Sequence, residues 1–210
     1  MARSTAVSVP HLDRRGDIVR AAYRLIAERG LEGLRFADIA RAAGINNGTL
    51  LYYFSGKDAL IEAVGRFLVD QYSQSDAPRA AGRVTSALDE LRWEFTDAAA
   101  RLNDVAGVVY TELLARAQRD PAVAALLLDI DASWRGWLVS ILERGQAQGL
   151  FHDQLDPHLV ATTIMAAIRG AGMQAMVMRD AAAAAAAMQA IAALIEQWIV
   201  RGGARPPYRR

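Results

Sequence analysis

The segment Ala43–Leu60, AGINNGTLLYYFSGKDAL, opens on two asparagines and a glycine and then crowds Leu, Leu, Tyr, Tyr and Phe together. A core helix would not begin so polar or hold a poor helix former at Gly48. A loop would not be so apolar. Asn46 is a good helix N-cap, and Ile45 before it pairs with Leu50 four residues on as a hydrophobic staple. Just upstream, FADIARAAG reads as a short helix ending at Gly44. Two short helices joined at a glycine, the second starting on a polar cap, make a helix-turn-helix. In the second helix Leu50, Tyr53 and Phe54 share the face turned to the preceding helices. Asn47, Gly48, Leu51 and Tyr52 fall on the opposite face. Such a face suits a major groove, where Asn pairs with base edges and Leu meets a thymine methyl. Thr49, Tyr53 and Lys57 flank it within reach of phosphates, and Lys57 also opens the next helix. Taken alone, Tyr52 and Tyr53 read equally as surface aromatics.

Composition allows this and excludes other classes. The chain has 210 residues, 53% of them hydrophobic, and a formal net charge of only +1. Residues 1–60 hold nine Lys+Arg against six Asp+Glu, while residues 61–210 hold fifteen against seventeen, a mild basic bias at the N-terminal end. With no cysteine there is no disulfide framework and no thiolate metal site. The start lacks a signal-peptide core, and the chargeless run Ala181–Ile195 is short for a membrane span, so a cytoplasmic setting without membrane contact is expected.

The rest reads as helix throughout, with stripes at helical spacing and no alternating strand pattern. An all-α protein of about nine helices is expected, a three-helix N-terminal domain followed by a larger helical one. Residues 1–12 read as a disordered arm, 13–62 as the DNA-binding domain, 63–203 as the second domain and 204–210 as a loose tail. The fourth helix should run from Lys57 to about Ser75, where SDAP at 75–78 breaks it. Further helices are expected over about 80–102, 104–119, 122–148, 157–178 and 181–201, with Asp156 capping a helix that starts on Pro157.

With AAYRLIAERGLEGL before it, DIARAAGINNGTLLYYFSGKDAL resembles the DNA-binding domain of the tetracycline-repressor (TetR) family, closely over residues 17–62. The resemblance implies a homodimer on a palindromic double-stranded operator and a helical second domain that binds a small effector. It places Asn47, Gly48, Thr49, Leu51, Tyr52, Tyr53 and Lys57 at DNA-contact positions, with Asn46 at their head. Arg35 departs from the usual Ser or Thr cap of the second helix; its guanidinium grips a phosphate but cannot accept the cap's hydrogen bond. Leu51 and Tyr52 depart from a usual Tyr and a frequent His, so the resemblance carries over the DNA binding and not the operator sequence.

No catalytic motif appears, His11, His152 and His158 are scattered, and no metal site, cofactor or enzymatic activity is expected. Val84, Leu88, Leu91, Phe95 and Leu102 form one stripe of their helix, and Trp93 lies roughly 180° from it, on a face open to core or cavity. By the resemblance, the effector site falls among the helices carrying Trp93, Tyr110, Trp134, Trp137, Met165, Arg169, Met173 and Met176, with Glu112 a further polar candidate. Each aromatic ring and methionine among them also reads as ordinary core, and Arg169 as solvated surface. Ala167, Ala171 and Ala175 against Ile191, Ile195 and Trp198 set small residues on one helix beside large ones on the next. The resemblance makes that pair the dimer bundle. The implied function is a ligand-responsive regulator, a repressor released by a small apolar or amphipathic molecule. A helical carrier without DNA binding and an architectural DNA-binding dimer without ligand control are the alternatives.

Overall fold

A computed structural model describes residues 13–73, 86–101, 104–178 and 180–202. The described residues form nine α-helices: α1 Arg14–Arg29, α2 Phe36–Ala42, α3 Asn47–Tyr53, α4 Lys57–Ser73, α5 Ala87–Arg101, α6 Val105–Ala117, α7 Pro121–Ala147, α8 Pro157–Met178 and α9 Ala181–Ile199. An isolated bridge between Phe151 and Val200 is the one β feature among them. The expected arm at 1–12, the SDAP break, Val84, Leu102 and the tail at 204–210 lie outside the described residues. The chain divides into two compact units, Met1–Val64 and Gly65–Arg210.

In the first unit Asp13 caps α1 by accepting from the Gly16 amide at 3.0 Å. Ile18, Ala22, Leu25 and Ile26 are buried along the expected stripe, joined by Val19 and Ala21. Arg35 stands at the N-cap of α2 in extended conformation and makes no side-chain cap bond, as its chemistry requires. Asp38 instead holds that helix in place, bonding Arg29 at 3.3 Å and Arg41 at 3.1 Å. The turn between α2 and α3 needs Gly44, whose φ of +67° suits glycine.

The second unit packs α5, α7, α8 and α9 around one core, with α6 laid on α7. Asp104, Asp120, Asp156 and Asp180 each accept from a backbone amide at a helix start, Asp156 from His158 at 2.9 Å. Between α7 and α8 the chain turns at Gly149 (φ +71°) and drives Phe151 into the core against Gly145. Gln146 holds this turn by donating to the carbonyls of His152 and Leu155 at 3.0 and 2.9 Å. Arg92 grips Glu196 with two bonds of 2.9 and 2.8 Å, tying α5 to α9. By length and composition alone, α8 and the Ala182–Ile199 part of α9 are apolar enough to cross a membrane, further than the chargeless run suggested. Here both pack against the core.

That packing corrects three of the expected dimer residues. Ala171, Ala175 and Ile195 are buried within the protomer, in one cluster with Met188 and Ile199. Ile191 and Trp198 pack against the same cluster, and Ala167 is partly buried. The small-against-large fit is therefore used inside one chain. The outward stripe of α8 is one residue away: Leu159, Thr163, Ala166, Gly170, Met173 and Val177, alternating four- and three-residue steps, all exposed.

A methyl group at Gly145 would stand 2.0 Å from the Phe151 ring. Gly145→Ala is expected to lose about 1–3 kcal/mol in urea unfolding, and an unchanged midpoint would show that Phe151 is free to move aside.

Candidate functional site

The outward face of α3 is set by its cap. Asn46 accepts from the Thr49 amide at 2.8 Å and from the Thr49 hydroxyl at 3.1 Å, fixing the first turn. Leu50 and Phe54 are buried, and the Arg15 guanidinium lies 4.8 Å above the Phe54 ring. Leu51 is 55% and Tyr52 85% exposed, and Asn47 and Gly48 are exposed beside them. Large apolar and aromatic groups are thus grouped on one open face of a seven-residue helix. Tyr53, placed by its helical phase on the inward face and by its reach at the flank, is 36% exposed, its ring edge-on to that of Tyr52 at 5.3 Å. Thr49 and Lys57 are partly buried and Arg35 is exposed. Since the Asn46 carboxamide oxygen already takes two bonds, its observed work is capping.

The second unit contains a cavity of about 440 Å³, within the range of small-molecule sites. Tyr110, Trp134, Trp137, Arg169, Met173 and Met176 line it, as expected. Trp93, Met165 and Glu112 do not. Trp93 packs its edge against Trp137 at 6.4 Å, behind the wall, and Met165 is 2% exposed in the core. The cavity face of α5 is Glu94, Asp97, Ala98 and Arg101, at i, i+3, i+4 and i+7 and one residue off the phase of Trp93. A second regular face beside an apolar stripe was the signal available in the sequence. It went unread because it is polar.

Two polar corners meet at Trp134. At one, Arg169 lies 5.3 Å from the rings of both Tyr110 and Trp134, and both its Nη atoms bond Asp131, the longer contact being 3.0 Å. The Tyr110 hydroxyl donates to the same carboxylate at 3.3 Å. Burial holds the Tyr110 phenol above its ordinary pKa. At the other corner the Trp134 indole Nε1 donates to Glu94 at 2.7 Å. Burial raises the Glu94 carboxyl to about 7, against the opposing pull of that bond. Asp97 is paired with Arg101 at 2.7 Å. Among the described residues no cluster of His, Asp and Glu is arranged to hold a metal ion.

A helix-turn-helix presenting an exposed reading face, joined to a helical unit with a ligand-sized cavity, defines a ligand-responsive DNA-binding regulator. Residues 18–64 match the model of bacterial regulatory proteins of the tetR family, and residues 83–200 that of the BetI-type transcriptional repressor C-terminal domain. The chain belongs to the TetR family, with a second domain of the BetI type. It is 25% identical to the regulator CymR of Pseudomonas putida over 177 residues, 80% of this chain and 82% of CymR. To the repressor KstR2 of Mycolicibacterium smegmatis it is 28% identical over 163 residues, 70% and 72% of the two chains. A putative regulator from Saccharomonospora viridis, solved in complex with choline, superposes with a TM-score of 0.77 at 25% identity, covering 89% of this chain and 97% of its own.

Because Asp131 neutralises Arg169 at the cavity wall, Asp131→Asn should cost about 1–2 kcal/mol after allowance for partial exposure. The double replacement Asp131→Leu with Arg169→Met should cost less than the two single changes added. Strict additivity in urea unfolding would mean that the pair is not coupled.

Proposed function

We propose that this protein is a homodimeric cytoplasmic repressor. It binds a palindromic operator through α3 and leaves it when a small amphipathic molecule with a cationic nitrogen occupies the cavity. The observation that carries the effector class is the cavity itself: three aromatic rings, two methionines, and a carboxyl at Glu94 with no ion pair among the described residues. The Arg169 guanidinium already lies over the Tyr110 and Trp134 rings, so the unmatched Glu94 carboxyl is the group that attracts a cation. An anion is less well served, because Asp131 already neutralises Arg169. The relative solved with choline, a quaternary ammonium, supports the same chemistry. The cavity disfavours a purely architectural dimer, and the exposed Tyr52 and Leu51 disfavour a carrier without DNA binding. No catalytic step enters this reading.

Dimerisation is assigned to the outward stripe of α8 together with the exposed face of α9, where Leu194 is 65% exposed among alanines. Small residues at alternating four- and three-residue steps let two such helix pairs meet closely across a two-fold axis. At α3, Asn47, Gly48, Leu51 and Tyr52 read bases. Thr49, Tyr53, Lys57 and Arg35 hold the phosphates, and Asn46 fixes the start of the helix.

With operator DNA selected from a random pool, Tyr52→Ala and Asn47→Ala should each weaken specific binding by about 1–3 kcal/mol while dimer and fold persist. Lys57→Ala should weaken all sequences alike and flatten the salt dependence by about one unit. Unchanged operator affinity in both of the first two variants removes α3 as the reading helix.

For the interface, Leu194→Arg should sediment as a folded monomer, since it places a charge on the outward face. Ala171→Arg should fail to fold, since it places one inside the protomer. A fully dimeric Leu194→Arg would move the interface elsewhere.

A further inference from the structure

We propose that Glu94 is the residue by which this cavity selects its effector, an ionisable carboxyl that takes the ligand's cationic nitrogen as its counter-ion. The inference rests on the reading of the cavity as the effector site and adds the group that recognises the charge.

The geometry singles out Glu94 by elimination. Of the acids around the cavity, Asp131 is committed to Arg169 and Tyr110, and Asp97 to Arg101. Among the described residues Glu94 receives one hydrogen bond, from an uncharged donor, the Trp134 indole at 2.7 Å. That bond aims the carboxyl along the ring whose face already carries the Arg169 guanidinium at 5.3 Å. The charged and titratable groups facing the same space are Asp97 and Arg101 from α5, Tyr110 from α6 and Arg169 from α8, with Asp131 of α7 behind it; α4 contributes only Val69. Asp97 raises the proton affinity of Glu94 and Arg101 lowers it, but burial is the largest influence and places its pKa at about 7. With that pKa, Glu94 is divided between acid and carboxylate near neutral pH. A cation arriving there favours the carboxylate, and the displaced proton leaves to solvent.

The sign of the pH dependence follows. Below pH 7 a cation must expel a proton to bind, so its affinity rises about tenfold per pH unit as pH increases and levels off above pH 8. A neutral ligand of the same shape gains nothing from ionisation, and its affinity stays flat or falls as pH rises.

Three probes on the full-length protein test this. The first needs no ligand: the Trp134 indole N–H resonance should titrate with a midpoint near pH 7 and become pH-independent in Glu94→Gln. A wild-type resonance that does not move between pH 5.5 and 8.5 overturns the pH dependence, and the counter-ion role then stands or falls on weaker choline binding by Glu94→Gln. The second is choline, followed by tryptophan fluorescence from pH 5.5 to 8.5, and the third its uncharged carbon isostere 3,3-dimethylbutan-1-ol. Choline should bind wild type with rising affinity and Glu94→Gln more weakly and without pH dependence, while Glu94→Asp restores the slope. The isostere should show no such slope. Choline binding that is independent of pH and unchanged in Glu94→Gln would overturn the role of Glu94 and leave the cationic effector standing. If the isostere binds wild type while choline does not bind at any pH, the cationic reading fails with it, and the cavity is a site for neutral ligands.

Discussion

A helical unit can keep an open cavity only if its walls are held both together and apart, and here that task falls on the side chains around Trp134. Close packing favours collapse, because each lining atom without a partner forfeits dispersion contact. The Trp134 indole is bonded to Glu94 of α5 at its nitrogen, while its ring supports Arg169 of α8, which Asp131 of α7 grips. Three helices are thus cross-braced through one indole. Trp137, which lines the cavity, is packed in turn against Trp93, which does not. Polar groups suit this work better than apolar ones, since their bonds have fixed lengths and directions and do not relax into the void.

The reading head obeys a different constraint. A helix of seven residues is too short to be stable alone, so α3 depends on its cap and on the burial of Leu50 and Phe54. Once Asn46, Gly44 and those two side chains fix its orientation, the positions between them are free of structural duty. Those positions are the exposed ones, Asn47, Gly48, Leu51 and Tyr52. Substitutions there leave the fold undisturbed, which is consistent with the departures at Leu51 and Tyr52.

Much of this was legible in the sequence because helical periodicity and caps are local. The glycine at 44, the cap at Asn46, the Asp156-Pro157 start and the order of the helices needed only nearest neighbours along the chain. Tyr53 shows the limit, since its place between faces depends on how far α3 tilts, and it emerged exposed. Helical phase failed where two partners compete for one helix. On α5, Trp93 was the conspicuous residue, yet the cavity takes the neighbouring face of Glu94, Asp97 and Arg101. On α8 the alanine stripe at 171 and 175 fits α9 of the same chain, leaving the adjacent stripe outward. Sequence shows that a helix has two good faces; which neighbour takes which is decided by tertiary packing. The pairing of Arg169 with Asp131 spans 38 positions and carries no local signal.

Ligand control requires that the effector bind the operator-bound and free forms with different affinity, and the coupling must be reciprocal. The most direct measurement is therefore a closed cycle: operator affinity with and without saturating choline, and choline affinity with and without saturating operator, at pH 8. Both ratios are expected to agree and to show mutual weakening of roughly tenfold or more, within the usual range of coupling free energies. Choline bound in the cavity with equal affinity in the presence and absence of operator would contradict the central claim that cavity occupancy releases the protein from DNA.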